Sequence, residues 1–307
     1  MASPRINPAY APIDPAHCFD GLFVPTNGSR RGRLLVPLRQ FGEIQIGFQG
    51  FEQLGVDDQS ILLAASAQLG VDGQAILDNP DGPVSSQLRR DLMITGKDVG
   101  VQTASKRISM RSLLIDAGYR QTESGASLAR ARDCLNRLRS VQVREVNPRT
   151  GWDRASNLLS TFFNVKTQEA FVAVNPRLTQ AVFHGQHVRV SLFERRSLDG
   201  EVAKLLHCWM SSNVRLGQAI GNGRGVRLDT LSEHVWGTAL SEAASKKVKS
   251  RRRGLIADAL DEISDRTRKL PGGQGWQIDR TPSGLAYITR PKKMPGDGLL
   301  PDGRTPS

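Results

Sequence analysis

Residues 245–265 read SKKVKSRRRGLIADALDEISD, and the charges of this stretch run backwards for a helix. Six of the eight residues from Lys246 to Arg253 are basic, and Asp258, Asp261, Glu262 and Asp265 follow them. A helix macrodipole is stabilised by acids in the first turn and bases in the last, so this order opposes the helix's own dipole. The helix itself is well marked, because Val248, Leu255, Ile256, Ala259 and Ile263 recur as one apolar stripe. Lys246, Lys249 and Arg253 fall on one flank of the stripe, and Lys247 and Arg251 on the other. Arg252 projects near the stripe, where its charged end is expected to snorkel outward. A basic helix N-terminus adds side-chain cations to free backbone N–H groups, a combination that attracts phosphate. A recognition helix in a major groove presents its N-terminal residues to base edges. Arg and Lys pair there with guanine, and other cations hold the backbone. The bland alternatives are a solvated charged face, an import signal or a membrane-surface patch. A helix arranged only for its own stability would carry acids at this end.

Working outward from this helix, GWQIDRTPSGLAYITR reads as a hairpin turning at Pro282-Ser283-Gly284. Arg280, Arg290, Lys292 and Lys293 suit a wing that touches phosphate or the minor groove. Upstream, DTLSEHVW reads as a helix capped by Asp229, preceded by a short strand VRL and a glycine-rich loop GNGRG. SLDGEVAKLLHCWMSS is a further helix, with Ser197 as its cap and Val202, Leu205, Leu206 and Trp209 as its buried face. Before it come the strands AFVAV and HVRVSL, separated by a short helix that Asn175 and Pro176 begin.

The first half has the same order. RLLVPLRQFGEIQIGFQ suggests two strands, and LGVDDQSILLAASAQLG an amphipathic helix ended by Gly70. Residues 71–100 are loop-rich around Asn79-Pro80-Asp81-Gly82-Pro83. SKRISMRSLLIDAGY reads as a short helix, and SGASLARARDCLNRLRSV as a basic one. Arg130, Arg132, Arg137 and Arg139 stand off its stripe of Leu128, Ala131, Leu135 and Leu138. VQVREV and NLLSTFFNV then form a hairpin about Asn147–Gly151. Two successive sets of helices, each closing on a basic helix and a hairpin, describe an α+β chain of two tandem winged-helix (helix-turn-helix plus β-hairpin wing) domains. The expected limits are a flexible, proline-rich arm over 1–24, domains at 25–165 and 166–293, and a flexible tail over 294–307.

Composition agrees with a polyanionic partner. Among 307 residues, 42 Lys plus Arg face 30 Asp plus Glu, giving a net charge of +12 and a pI near 10.2. Cys18, Cys134 and Cys208 are scattered, which argues against both a disulfide framework and a zinc module. Every apolar run is broken before it reaches membrane-spanning length, and the proline-rich start lacks the apolar centre of a secretion signal. The expectation is a soluble, reduced, intracellular protein.

Catalytic patterns fail one by one. No G-x-x-x-x-G-K-[ST] string exists, and GNGRG does not follow a strand into a helix, so neither an NTPase nor a dinucleotide site is indicated. His184 and His187 lack the spacing and the further ligands of a metal centre. Tyr10, Tyr119 and Tyr287 do not complete a nickase. The expectation is therefore no catalytic residue, no metal and no cofactor.

The chain resembles the RepC family, the iteron-binding replication initiators of IncQ-like broad-host-range plasmids. The resemblance rests on DPAHC (Asp14–Cys18), LGVDDQSIL (Leu54–Leu62), VNPRLTQAV (Val174–Val182) and GQHVRVSL (Gly185–Leu192). It continues through LDGEVAKLLH, DTLSEHVW, the basic helix and YITRPK, so that it spans about residues 14–292. The resemblance implies paired winged helices and binding of double-stranded DNA at origin repeats. It also implies opening of an adjacent A/T-rich segment and entry of a separately encoded helicase and primase, without ATP hydrolysis, in the bacterial cytoplasm. Self-association is possible within that scheme. The rival functions are a winged-helix transcription regulator and a rolling-circle nickase.

Overall fold

The computed structural model describes residues 8–26, 31–76, 82–96, 101–184, 188–272 and 274–295. They form two units, each drawing on separate pieces of the chain. One takes the described parts of Ala11–His17 and Gly28–Val188, the other those of Met1–Tyr10, Cys18–Asn27 and Arg189–Ser307. The break near residue 188 replaces the boundary expected after 165. The expected flexible arm is also corrected from residue 8 onward, since Ala11, Ile13, Leu22 and Phe23 are buried. Proline spacing shows that this segment is extended, but not that its apolar residues find a core. Of the expected tail, Met294 and Pro295 are buried, and the rest lies outside the described residues.

In the first unit, β1 (Tyr10–Ile13), β2 (Leu34–Phe41) and β3 (Ile44–Gly50) precede α1 (Val56–Asp72). β4 (Gln74–Ile76) and α2 (Pro83–Asp91) follow, where the sequence suggests loop. Pro83 breaks the preceding chain yet sits at the first helical position, where its missing N–H is harmless. The expected helix from Ser105 divides into β5 (Thr103–Ser109) and α3 (Met110–Asp116), because Ser109 Oγ accepts the Ser112 N–H and starts the helix there. Gly118, at φ 88°, turns the chain away from it. Then come α4 (Gly125–Arg139), β6 (Gln142–Asn147), β7 (Trp152–Asn157), β8 (Leu159–Asn164), β9 (Glu169–Val174) and α5 (Pro176–Phe183). Two antiparallel sheets result, ordered β2-β3-β6-β7 and β4-β5-β9-β8. β2 carries a bulge between Val36 and Arg39, and Gly47 of β3 lies directly beneath it. A Cβ at Gly47 would lie 3.0 Å from the Val36 carbonyl oxygen and 3.1 Å from the Leu38 nitrogen, so a side chain there would crowd the bulged backbone.

Helix α1 is buried nearly all round, with Ile61, Leu62, Leu63, Ala64, Ala65 and Leu69 all inaccessible. It is thus a central helix, not the amphipathic one its spacing predicts. Asp58, in its first turn and buried, accepts the Gly55 N–H at 2.7 Å and pairs with Arg31 at 2.5 Å and Arg137 at 2.9 Å.

The second unit runs from β10 (Val188–Ser191) through α6 (Leu192–Ser197), α7 (Glu201–Asn213), β11 (Val226–Arg227), α8 (Leu228–Trp236) and α9 (Thr238–Glu242) to α10 (Lys246–Arg268), β12 (Gln277–Arg280) and β13 (Leu285–Thr289). Its sheet is antiparallel and ordered β11-β13-β12. Ser197 ends α6 instead of capping α7, whose N-cap is Gly200. The buried face of α7 is Ala203, Leu205, Leu206, His207, Cys208 and Met210. Val202 and Trp209 are only half-buried, and Trp209 stacks on His234 with ring centroids 4.2 Å apart. Asp229 lies within the first turn of α8 instead of at its cap. Cys18 and Cys208, 190 residues apart in sequence, bring their thiols within 3.7 Å.

Inside this unit, the buried Glu194 carboxylate accepts from His207 Nε2 at 2.8 Å and Trp276 Nε1 at 3.2 Å. Burial pulls His207, and likewise His17 of the first unit, below the ordinary 6.5. Both rings are therefore neutral in the fold, whereas the unfolded chain takes up protons as the pH falls through 6.5. Their contribution to stability is complete above that value and is lost on acidification. The urea midpoint is expected to fall between about pH 7 and pH 5.5; a flat midpoint would show that the histidines do not bury as neutral rings. Removing Asp58 leaves two arginines facing each other, and Asp58→Ala is expected to destabilise the first unit by about 3 kcal/mol, read by denaturant melting.

Candidate nucleic-acid interface

Helix α10 begins where the sequence places it. Ser245 Oγ accepts the Val248 N–H, and no acid occupies the first turn. Its anchored face is shorter than the expected stripe. Ile256, Ala259, Leu260, Ile263, Ser264 and Thr267 are buried, but Val248 is 40% and Leu255 37% exposed. The packed part is therefore the C-terminal half, and apart from Arg252 every residue from Ser245 to Leu255 is exposed.

The C-terminal half is tied down through polar groups as well as apolar ones. Glu262 accepts the N–H groups of Asp199 at 2.5 Å and Gly200 at 3.1 Å, which places a carboxylate at the positive end of α7. A Cβ at Gly200 would meet that carboxylate at 2.6 Å. Ser264 Oγ donates to the Trp276 carbonyl, and Trp276 N–H donates to Thr267 Oγ1 at 3.0 Å, so the helix and the strand after it are joined directly. Asp261 pairs with Arg280 of β12 at 2.6 Å, and Asp265 with Lys269 at 2.7 Å. Glu262 and Asp261 therefore hold the helix to its own unit, whereas Asp265 pairs within the helix's own last turn.

The predicted basic residues divide sharply in this setting. Lys246, Lys247, Lys249 and Arg251 are exposed and form no ion pair among the described residues. Arg253 is exposed and leans towards Asp229 at 3.6 Å. Arg252 does not snorkel clear: its guanidinium lies 5.0 Å from the Trp236 ring centroid and reaches Ser241 Oγ at 3.5 Å. Lys292 and Lys293 are exposed beyond β13.

Arg290 is a correction. It is 4% exposed, and its guanidinium donates to the carbonyls of Ser211 at 2.6 Å, Val214 at 3.0 Å and Arg189 at 2.6 Å. A planar fork whose two terminal nitrogens are spent on three carbonyls holds the end of β13 to its unit and, being buried, cannot reach a phosphate.

Helix α4 looks equally basic in sequence but is neutralised from within. Arg130 meets Asp57 at 3.4 Å, Arg137 meets Asp58 at 2.9 Å and Arg139 meets Asp91 at 3.2 Å, while Arg132 donates to Gln168 Oε1 at 2.7 Å. Arg137 is half-buried and serves the buried Asp58. Two cations outside the predicted set, Arg224 and Arg227, are exposed beside the β12–β13 hairpin, with Arg227 opposite Leu285 of β13. Their signal was an arginine inside the glycine-rich loop, where Gly221 and Asn222 adopt left-handed conformations.

Among the described residues, no three His, Cys, Asp or Glu side chains converge as a metal set, and no helix is long and apolar enough to cross a membrane. His187 lies outside the described residues. The contrast between the two classes of arginine is directly measurable. Arg290→Ala is expected to lower the melting temperature by several degrees, through loss of buried hydrogen bonds. Lys247→Ala with Arg251→Ala should leave it unchanged. Equal melting of both variants would contradict this division.

Comparison with known proteins places this geometry. A crystal structure of selenomethionine derivatives of domains 2 and 3 of RctB matches with a TM-score of 0.52 at 11% identity, covering 92% of this chain and 99% of that one. A second structure of RctB domains 2–3 matches at 10% identity with a TM-score of 0.44, covering 87% and 93%. At such identity the first likeness is one of fold. The search of curated proteins returns no match. The model of the family described as Replication protein C (RepC) matches residues 6–292, nearly the whole chain. A chain that carries this family's pattern from end to end, with an exposed cationic helix over an anchored base, belongs to the RepC family of replication proteins.

Proposed function

We propose that this replication initiator binds repeated sites in a plasmid origin as a pair of winged helices, with α10 as the principal reader. The observation that carries the reading is the exposed start of α10, where Lys246, Lys247, Lys249 and Arg251 form no ion pair among the described residues, on a base fixed by Glu262, Thr267 and Trp276. The order of elements supports the winged-helix assignment. The second unit runs helix α7, strand β11, helices α8 and α10, then strands β12 and β13, with sheet order β11-β13-β12. The first unit repeats that order as α1, β5, α3, α4, β8 and β9, with β5-β9-β8 adjacent. On this reading the wing of the first unit is β8–β9. The hairpin expected from sequence joined VQVREV to NLLSTFFNV, but VQVREV (β6) pairs with β7 and NLLSTFFNV (β8) pairs with β9, so β6–β7 is an insertion before the wing.

In the major groove, Lys246, Lys247, Lys249, Arg251 and Arg253 divide between phosphates and guanine edges. Val248 is exposed among them and suits a thymine methyl. Lys292, Arg224 and Arg227 serve the flanking backbone from the wing. Arg280 of β12 and Arg130, Arg132 and Arg139 of α4 contribute less, since each must first release an internal partner. Several bound copies bend or untwist the DNA, and that deformation is least costly in flexible, A/T-rich sequence. A separately encoded helicase and primase then enter. The role is binding without strand cleavage, in the bacterial cytoplasm.

Titration of a repeat duplex against a scrambled one across a salt series tests this. Removing one phosphate-binding cation lowers the salt slope by about 0.9. Lys247→Ala with Arg251→Ala should therefore flatten it by up to about two units, while preference for the repeat survives. Equal affinity for both duplexes at every salt would overturn the reading, and nicking of a supercoiled origin would replace it with the nickase.

A further inference from the structure

The solvent face of the β2-β3-β6-β7 sheet carries a second patch with the chemistry of a nucleic-acid site. Across three neighbouring strands, Gln49 opposes Gln142 and Gln142 opposes Asn157. Opposed residues of antiparallel strands share a face, so three side-chain amides form a row, with Gln49 Nε2 donating to Gln142 Oε1 and Asn157 Nδ2 to the Asp91 carbonyl at 2.9 Å, which leaves the Asn157 Oδ1 as its outward group. Leu35 extends the row opposite Gln49 on β2. The alternate residues Leu34, Val36, Ile46, Phe48 and Val143 are buried on the other face, so the amide row is the outward one.

An open groove of about 310 Å³ runs over this row, bounded by Phe51, Met93, Arg33 and Arg139. Phe51 is 85% and Met93 63% exposed, so neither serves a core. Met93 is also held at φ +49°, in the left-handed region that a long side chain rarely adopts; such strain tends to persist where a site requires it. Arg33 is exposed and forms no ion pair among the described residues, and no carboxylate lines the groove. At its rim Arg139 touches Asp91 at 3.2 Å, and further along the face Arg144 holds Asp153.

We propose that this groove binds single-stranded DNA, with one base stacked on Phe51, its edge met by the Gln49–Gln142–Asn157 amides, and the backbone held by Arg33 and Arg139. An exposed ring beside cations is what an unpaired strand needs, because every base offers a π-face for stacking. A duplex keeps its base faces covered and presents only edges, so it does not use the ring. The source of the strand rests on the proposed function, since melting an A/T-rich segment beside the repeats exposes unpaired thymines and adenines. The site differs from α10 in residues and in chemistry, and the two are separable.

The test uses the full chain, a fluorescent oligo(dT) of about 20 nucleotides and the repeat duplex, with anisotropy as the readout. Arg33→Ala with Phe51→Ala should weaken oligo(dT) binding tenfold or more and leave duplex affinity and melting temperature unchanged. Phe51→Trp, which keeps a stacking face, should bind oligo(dT) at least as well as the parent. The proposal falls if the double variant binds oligo(dT) like the parent, if Phe51→Trp loses binding as Phe51→Ala does, if oligo(U) RNA is preferred, or if the substitutions change only self-association in sedimentation. Lys247→Ala with Arg251→Ala serves as the independent arm. Unchanged duplex binding there would defeat the reading of α10, while the oligo(dT) comparison would still decide the groove.

Discussion

Six positive charges within eight residues cannot stabilise the helix that begins with them, because they sit at the positive end of its dipole. The segment is helical because of what holds its far half. Ile256, Ala259, Leu260 and Ile263 are buried, Glu262 takes two N–H groups at the start of α7, and Thr267 takes the Trp276 N–H. That anchorage makes the exposed first turns an extension of a fixed rod. The strand β12 and the wing are joined to the same rod through Asp261 and Arg280. The exposed cationic turns and the β12–β13 hairpin therefore share one support, which is the preorganisation that the proposed reading of DNA needs.

The two basic helices illustrate how little composition says about availability. Four arginines on α4 and six cations on α10 look alike along the chain. In the fold, three of the α4 arginines meet Asp57, Asp58 or Asp91, and the fourth meets Gln168. Those acids come from α1 and α2, far away in sequence, and their approach cancels most of the field that α4 would project. The acids of α10 lie one to four turns along the same helix, and Asp261, Glu262 and Asp265 are themselves occupied, so they leave its start uncompensated. Arg290 makes the same point for a single residue, since a cation at the end of a wing strand can equally be the bolt that holds the strand in place.

The two units share an order of elements while differing in content. The first holds an extra four-stranded sheet, built from β2 and β3 before its helices and from β6 and β7 after them. Gly47 lets the bulged edge approach closely, and the sheet buries one face while leaving an amide row and an exposed phenyl ring on the other. The amides are tied within the unit, with Asn157 Nδ2 donating to the Asp91 carbonyl, whereas the phenyl ring of Phe51 serves no core.

Local signals in the sequence settled most elements, including the extent of the basic helix α10. Alternation marked β2, β3, β12 and β13, Asn175-Pro176 marked the start of α5, and the stripe ending at Ile263 marked α10. Each depends on contacts within a few residues, where side-chain type is sufficient. Ser109, Pro83 and Ser197 were legible only as candidates, because a serine or proline can open a helix, close one or sit in a loop until its neighbours are placed. Tertiary structure alone decided that β9 closes the first unit's sheet, that the proline-rich start is packed, and that α1 is central. It also decided which arginines remain available. All of these depend on partners dozens or hundreds of residues away, such as Asp58 for Arg137 and the Ser211 and Val214 carbonyls for Arg290, and no local pattern encodes such a meeting.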